Sequence, residues 1–205
     1  MTIPEKAPRR RRSPEAARQA AVESARRLLL EHGPEALTLP LVARDLGMTH
    51  GNLTHHFGSV AGLHRALIAA MAREVAEVVE AAAPGFRSGS VPASAVVEAV
   101  FRAFDKGGAG RLVAWLAATG RIEGLEPLFA AVARSVETLR ADEPAGADPA
   151  AEGAGIMAAT LLTSALGAAL IGAPVQAAAG LAPGTLAGLA ADEMDRLRAR
   201  PSSLS

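Results

Sequence analysis

LTLPLVARDLGMTHGNLTHHF, residues 37–57, is the stretch whose reading decides the fold. Thr38 is a helix N-cap candidate, since its hydroxyl can accept an unpaired N–H of a first turn, and Pro40 is tolerable within that turn. Val42 and Ala43 supply an apolar inner face. Gly47 ends the helix where a left-handed residue is wanted. Thr49 can cap a second, short helix on which Leu53 and Phe57 lie one turn apart and point into a core. His50, Asn52, Thr54 and His55 are left facing outward. The pattern predicts a helix-turn-helix, and a short helix exposing hydrogen-bonding side chains is what the DNA major groove admits.

Composition bounds this reading. The 205 residues fit one large or two small domains with a real core. Half the residues are hydrophobic, few are aromatic and none is Tyr, which favours close-packed helices over sheets. The absence of Cys excludes disulfides and thiol chemistry, and nothing argues for secretion. A net charge of zero hides an asymmetry. Residues 1–65 carry ten Lys or Arg against six Asp or Glu, and the remainder carries eleven against fifteen. All five His (32, 50, 55, 56 and 64) also sit in the front third, so its positive charge rises at mildly acidic pH. A basic front on an acidic back points to a nucleic-acid module joined to something else.

Arg9, Arg10, Arg11 and Arg12, with Lys6, form a basic run that no apolar segment follows, so it is not a signal peptide. Two readings are open: a solvated arm, or one that tracks phosphates or enters the minor groove. They are compatible, because such arms order only on DNA.

Helical punctuation continues along the chain. Ser13-Pro14-Glu15 is a strong start signal, and the helix it opens presents Ala21, Val22, Ala25, Leu28 and Leu29 before Gly33-Pro34. Ser59 can cap a longer helix to about Ala82, with Leu63, Leu67, Met71, Val75 and Val78 on one stripe; 84–92 reads as a Gly/Ser/Pro loop. Further helices are predicted near 93–106, 109–119, 125–141, 151–172 and 183–199. No strand alternation or internal repeat is visible, so the class is all-α. Residues 153–191 hold no charged side chain, and Ile156–Ala173 is apolar enough to raise a membrane question. It is rich in Ala and Gly, carries Thr160, Thr163 and Ser164, and ends at Pro174, so no membrane span is expected. Small residues recur at Gly155, Ala159, Thr163 and Gly167, a spacing that lets another helix approach closely.

Residues 18–63 resemble the DNA-binding domain of TetR-type transcriptional regulators. The resemblance lies in the succession LLLEHG, LTLPLVARDLGMTHGNLTHHF and GSVAGL, and covers about a quarter of the chain. It implies three parts: a basic arm over 1–12, a three-helix helix-turn-helix DNA-binding domain over 13–58, and a larger helical ligand-binding and dimerisation domain over 59–205. It further implies a cytoplasmic homodimer that represses from a palindromic double-stranded DNA operator and is released by a small-molecule effector. The alternative is a ligand-binding or protein-interaction module of this fold that has lost specific operator binding. Carried across by position, Thr49, His50 and Asn52 stand where such proteins contact bases or nearby phosphates. His55 is placed on the outward face, and Thr38 is placed to meet phosphate. Gly51 sits where a small residue lets the backbone lie near the groove. Two departures stand out. Thr54 replaces the family's usual tyrosine and Val60 its usual lysine, both common phosphate ligands. Losing two such contacts flattens the salt dependence by roughly two units of slope.

His50, His55 and His56 do not share a metal-binding face: 55 and 56 point apart, and the step from 50 to 55 does not align two ligands. His56 is expected to pack as a core histidine at the helix junction. No cofactor is expected. No nucleophile elbow, Gly-rich phosphate loop after a strand, or zinc-protease motif occurs, so the chain does not read as an enzyme. GGAGR at 107–111 reads as a joint opening the helix that bears Trp115. Phe86, Phe101, Phe104, Trp115 and Phe129 hold all aromatic rings of the back two-thirds. They either wall an apolar pocket or fill core volume, with Arg111, Arg121 and Asp105 the nearest polar anchors; a ligand there should be mainly apolar. An apolar helix over 151–172 needs a partner. With 183–199 from both subunits it would make a four-helix dimer interface.

Overall fold

The computed structural model describes residues 13–140 and 148–199; the basic run Arg9–Arg12 lies outside them. The chain is all-α, with no strand among the described residues. Three helices open it: α1 (Pro14–His32), α2 (Leu39–Leu46) and α3 (His50–Phe57). Each starts on a side-chain cap. Ser13 accepts from the Ala16 N–H, Thr38 from Leu41 and Thr49 from Asn52, each satisfying a donor the helix cannot. Gly47 closes α2 at φ +61°, in the left-handed region where only glycine is unstrained. Ala21, Ala25, Leu28, Leu29, Val42 and Leu53 pack in the shared core. Between α1 and α2, the buried Ser24 donates to Asp45 Oδ2 at 2.5 Å and Arg27 pairs with the same carboxylate. These two hydrogen bonds, Ser24 first, hold Asp45 below the usual carboxylate range.

Helix α4 (Val60–Ser88) is the axis of the larger body, against which α5 (Ala93–Phe104), α6 (Ala109–Ala118) and α7 (Glu126–Leu139) pack. It runs a turn and a half past the predicted end near Ala82 and carries Pro84 within it. An interior proline costs about 3 kcal/mol. Burial of Ala83 and Phe86 offsets that cost, and the helix ends only at Gly89, at φ +77°. The predicted stripe also rotates. Leu63, Leu67 and Met71 are buried, but Val78 is 43% exposed, and Ala72, Ala76, Val79, Ala83 and Phe86 carry the core face onward. Steps of four overrun a 3.6-residue turn, so a stripe drawn on them drifts off the core within three steps.

Helix α8 (Asp148–Gly167) continues through a π turn at Ala168–Gly172 into α9 (Ala173–Ala178), and α10 (Thr185–Ala199) follows. The predicted break at Gly172 is absent. The wider π turn lies directly before Pro174, whose ring and missing N–H would disrupt a regular turn. Gly110 of α6 is seated against this turn: a Cβ there would stand 2.7 Å from the Ala169 methyl carbon and 2.9 Å from the Phe104 carbonyl oxygen. The GGAGR segment is thus a close-packing device as well as a joint. Ala154, Met157, Leu161 and Ala165 face the core, while Ile156, Leu170, Ile171 and Val175 are exposed. The stretch Gly153–Ala178 is long and apolar enough to cross a membrane, by length and composition alone. It packs against α5, α7 and α10 along its α8 part.

Because Phe86 is a core residue of α4 and not part of a loop, Phe86→Ala should cost about 3 kcal/mol or more in urea denaturation. A loss within about 0.5 kcal/mol, as for a surface loop residue, would contradict the helical placement.

Candidate nucleic-acid interface

Successive residues of α3 are about 100° apart around its axis. Leu53 and Phe57 are buried, which puts His55 opposite the core with Gly51 and Asn52 on either side of it. His50, Gly51, Asn52 and His55 are all exposed, as are the capping residues Thr38 and Thr49. The Thr49 oxygen accepts from the Asn52 N–H at 3.3 Å, and that of Thr38 from the Leu41 N–H at 3.4 Å; each hydroxyl hydrogen is left to donate elsewhere. Thr54 differs. Its hydroxyl donates back to the His50 carbonyl at 3.1 Å and is committed to the helix. Val60, 37% exposed at the first turn of α4, offers no polar group. The two departures from the family pattern thus leave two positions without an outward hydrogen-bonding group.

Residues not singled out by the sequence pattern hold α3 in place. Arg18 of α1 donates to the His56 carbonyl at 2.7 Å and lays its guanidinium over the Phe57 ring at 4.7 Å. A cation at the carbonyl end of a helix is favourable as well as space-filling. On the other side, the first turn of α4 lies directly on the end of α3. A Cβ on Gly62 would stand 1.9 Å from the Phe57 carbonyl oxygen, so only glycine lets the helices meet. The sequence signal was a glycine inside the first turn of a long helix, where it costs about 1 kcal/mol relative to alanine and marks a close approach.

The core histidine is His64, not His56. His56 is half-buried, whereas His64 is 2% exposed. Its Nε2 donates to the Leu37 carbonyl at 3.2 Å, just ahead of α2, and its ring meets Trp115 of α6 edge-on at 5.3 Å. Arg121 covers the same Trp115 ring at 4.7 Å. His64 therefore joins the three-helix head to α6. Burial, and then the Arg121 charge, depress its pKa against the opposing effect of the Leu37 bond.

A second feature lies deeper. A partly open cavity of about 90 Å³ is lined by α4, α5, α6, α7, α8 and α10. Phe86 and Phe104 line it; Phe101, Arg111, Trp115 and Phe129 do not. Trp115 is taken up by His64 and Arg121, Arg111 reaches out to the Leu30 carbonyl, and Phe129 is 49% exposed. Helix faces, set by tertiary packing, decide which rings turn inward.

Residues 21–67 match the family of bacterial regulatory proteins known as the tetR family. No curated protein matches the chain. Among solved structures, the multidrug binding protein EbrR, in its complex with imidazole, is 23% identical, with a TM-score of 0.66 over 98% of this chain and 100% of that one. The likeness shows the same fold. The family match covers the helix-turn-helix and the start of α4, and the remaining helices share the fold of that solved structure.

Two outcomes follow from this geometry. Gly62→Ala forces α3 and α4 apart and should cost about 1–3 kcal/mol in thermal or urea unfolding; a neutral result would mean that the helices are not in contact. His64 takes up a proton near 6.5 in the unfolded chain and only at lower pH when folded. The unfolded state therefore binds more protons as pH falls, so stability is full above 6.5 and declines below it. His64→Gln, which keeps a donor for Leu37, should flatten the dependence of Tm on pH between about 7.5 and 5.5. Equal pH dependence in both proteins would count against a buried neutral His64.

Proposed function

We propose, on the premise that the chain carries a tetR-family DNA-binding domain, that it is a cytoplasmic, dimeric transcriptional regulator whose operator binding is released by a small molecule. The arrangement of α3 carries this reading: a short helix with its apolar side buried and a row of hydrogen-bonding side chains exposed. His50, Asn52 and His55 would meet base edges. Thr38, Thr49 and the Gly51 backbone would meet sugar or phosphate, with Arg9–Arg12 adding charge. The division into a head over 13–58 and a regulatory body over 59–205 belongs to the same proposal.

Dimerisation is supported by what a single chain leaves uncovered. Ile156, Leu170, Ile171, Val175, Leu181 and Leu189 are exposed large apolar side chains near the two predicted interface helices. The small-residue row has Ala159, Thr163 and Gly167 exposed, and space for a Cβ at Gly155 and Gly167. A second copy would cover this apolar surface and set two α3 helices one DNA turn apart. Helix α4 connects the cavity to α3, so a ligand that prefers one position of α4 would shift the spacing of the pair, to the extent of that preference.

The test is fluorescence anisotropy of the protein against duplex DNA from immediately upstream of its own gene, over a salt series, with a random duplex and a half-site duplex as controls. Tight binding to the full site alone is expected, with Asn52→Ala weakening it about tenfold and leaving random duplex unchanged. Weak, equal binding to all duplexes would favour a ligand-binding module that has lost its operator. The committed hydroxyl of Thr54 and the apolar Val60 are the observations behind that second reading.

A further inference from the structure

The wall of the central cavity is almost entirely hydrocarbon and thioether. Among the described residues that line it, only Ser135 of α7 carries a polar side chain, and none is charged. Three methionines, Met71 of α4, Met157 of α8 and Met194 of α10, approach from three directions and are buried. An ionised group placed there would lose its water and find no countercharge among the described lining side chains, which disfavours it steeply. A neutral molecule would lose little, and the hydroxyl of Ser135 could satisfy one hydrogen-bonding group. Unbranched, polarisable methionine side chains can re-pack around varied apolar shapes, so a cavity of about 90 Å³ can widen for a slender guest.

We infer that the effector is an uncharged, mainly hydrocarbon molecule with at most one hydrogen-bonding group, which Ser135 receives, and that cations and carboxylates are excluded. This rests on the regulator reading for its role as effector and on the cavity alone for its chemistry. Arg111, Arg121 and Asp105, the charged groups expected nearest a pocket, do not line it, and no charged side chain among the described residues does.

Three probes with the same linear eight-carbon chain separate the possibilities: 1-octanol, octylammonium and octanoate, titrated by calorimetry into the full-length protein. Octanol should bind at least about tenfold more tightly than either ion. Ser135→Ala should weaken it by about threefold to tenfold. Nuclear Overhauser contacts from octanol to the methyls of Met71, Met157 and Met194 should place it in the cavity. Val132→Phe, at a partly exposed position on the wall, should block it, and the methyl contacts in the unaltered protein decide the matter if that variant does not fold. An ion binding as tightly as octanol, or no binding of octanol, would overturn the inference; an unchanged Ser135→Ala would overturn the anchor. Octanol bound in the cavity with operator affinity unaltered would leave the inference standing and remove the release step of the regulator reading. Operator release by octylammonium would do the reverse.

Discussion

The contact on which the rest depends is the one between the end of α3 and the start of α4. The Phe57 carbonyl oxygen lies where a side chain on Gly62 would be, so two backbones touch without side chains between them. Interfaces of that kind have no compliant layer: a shift of one helix must be taken up by the other. Arg18 closes the opposite side, binding the His56 carbonyl and covering the Phe57 ring. The exposed row of α3 is consequently positioned by α1 and α4 together.

What could be read in the sequence was what local chemistry decides. Ser13, Thr38, Thr49 and Ser59 each cap a helix through a bond to a backbone N–H three residues on, and Gly33 and Gly47 close α1 and α2 where expected. The interactions involved span fewer than five residues, so the all-α class and the helix-turn-helix follow from them. The misreadings were tertiary. Pro84 signals a loop by its local cost, yet burial of Phe86 against the body carries the helix past it. Pro174 signals a stop, yet a π turn accommodates it.

The candidate site residues divide in the same way. The exposed positions on α3 follow from the spacing of Leu53 and Phe57. The inward role of His64 does not, because it depends on Leu37 and Trp115, which lie 27 and 51 positions away along the chain. Likewise the aromatic rings of the back two-thirds could wall a pocket or fill core volume, and of them only Phe86 and Phe104 line the cavity. Which ring points inward is set by the rotation of each helix, and drift of the apolar stripe along α4 shows how far a periodic reading can err.

At its far end α4 is held by another arginine. Arg198 of α10 donates to the Phe86 carbonyl at 3.1 Å and lies 5.0 Å over the Phe86 ring, two residues beyond the proline that deprives the helix of one internal bond. The helix is thus held at both ends, at Gly62 against α3 and at Phe86 by Arg198, and lacks one internal bond beside the second hold, at Pro84. From Pro84 it is about 20 Å to Met71 on the cavity wall and about 33 Å to Gly62, at 1.5 Å per residue. The cavity-lining part of α4, from Ile68 to Phe86, thus lies between two fixed points, the glycine seated on α3 and the ring seated under Arg198.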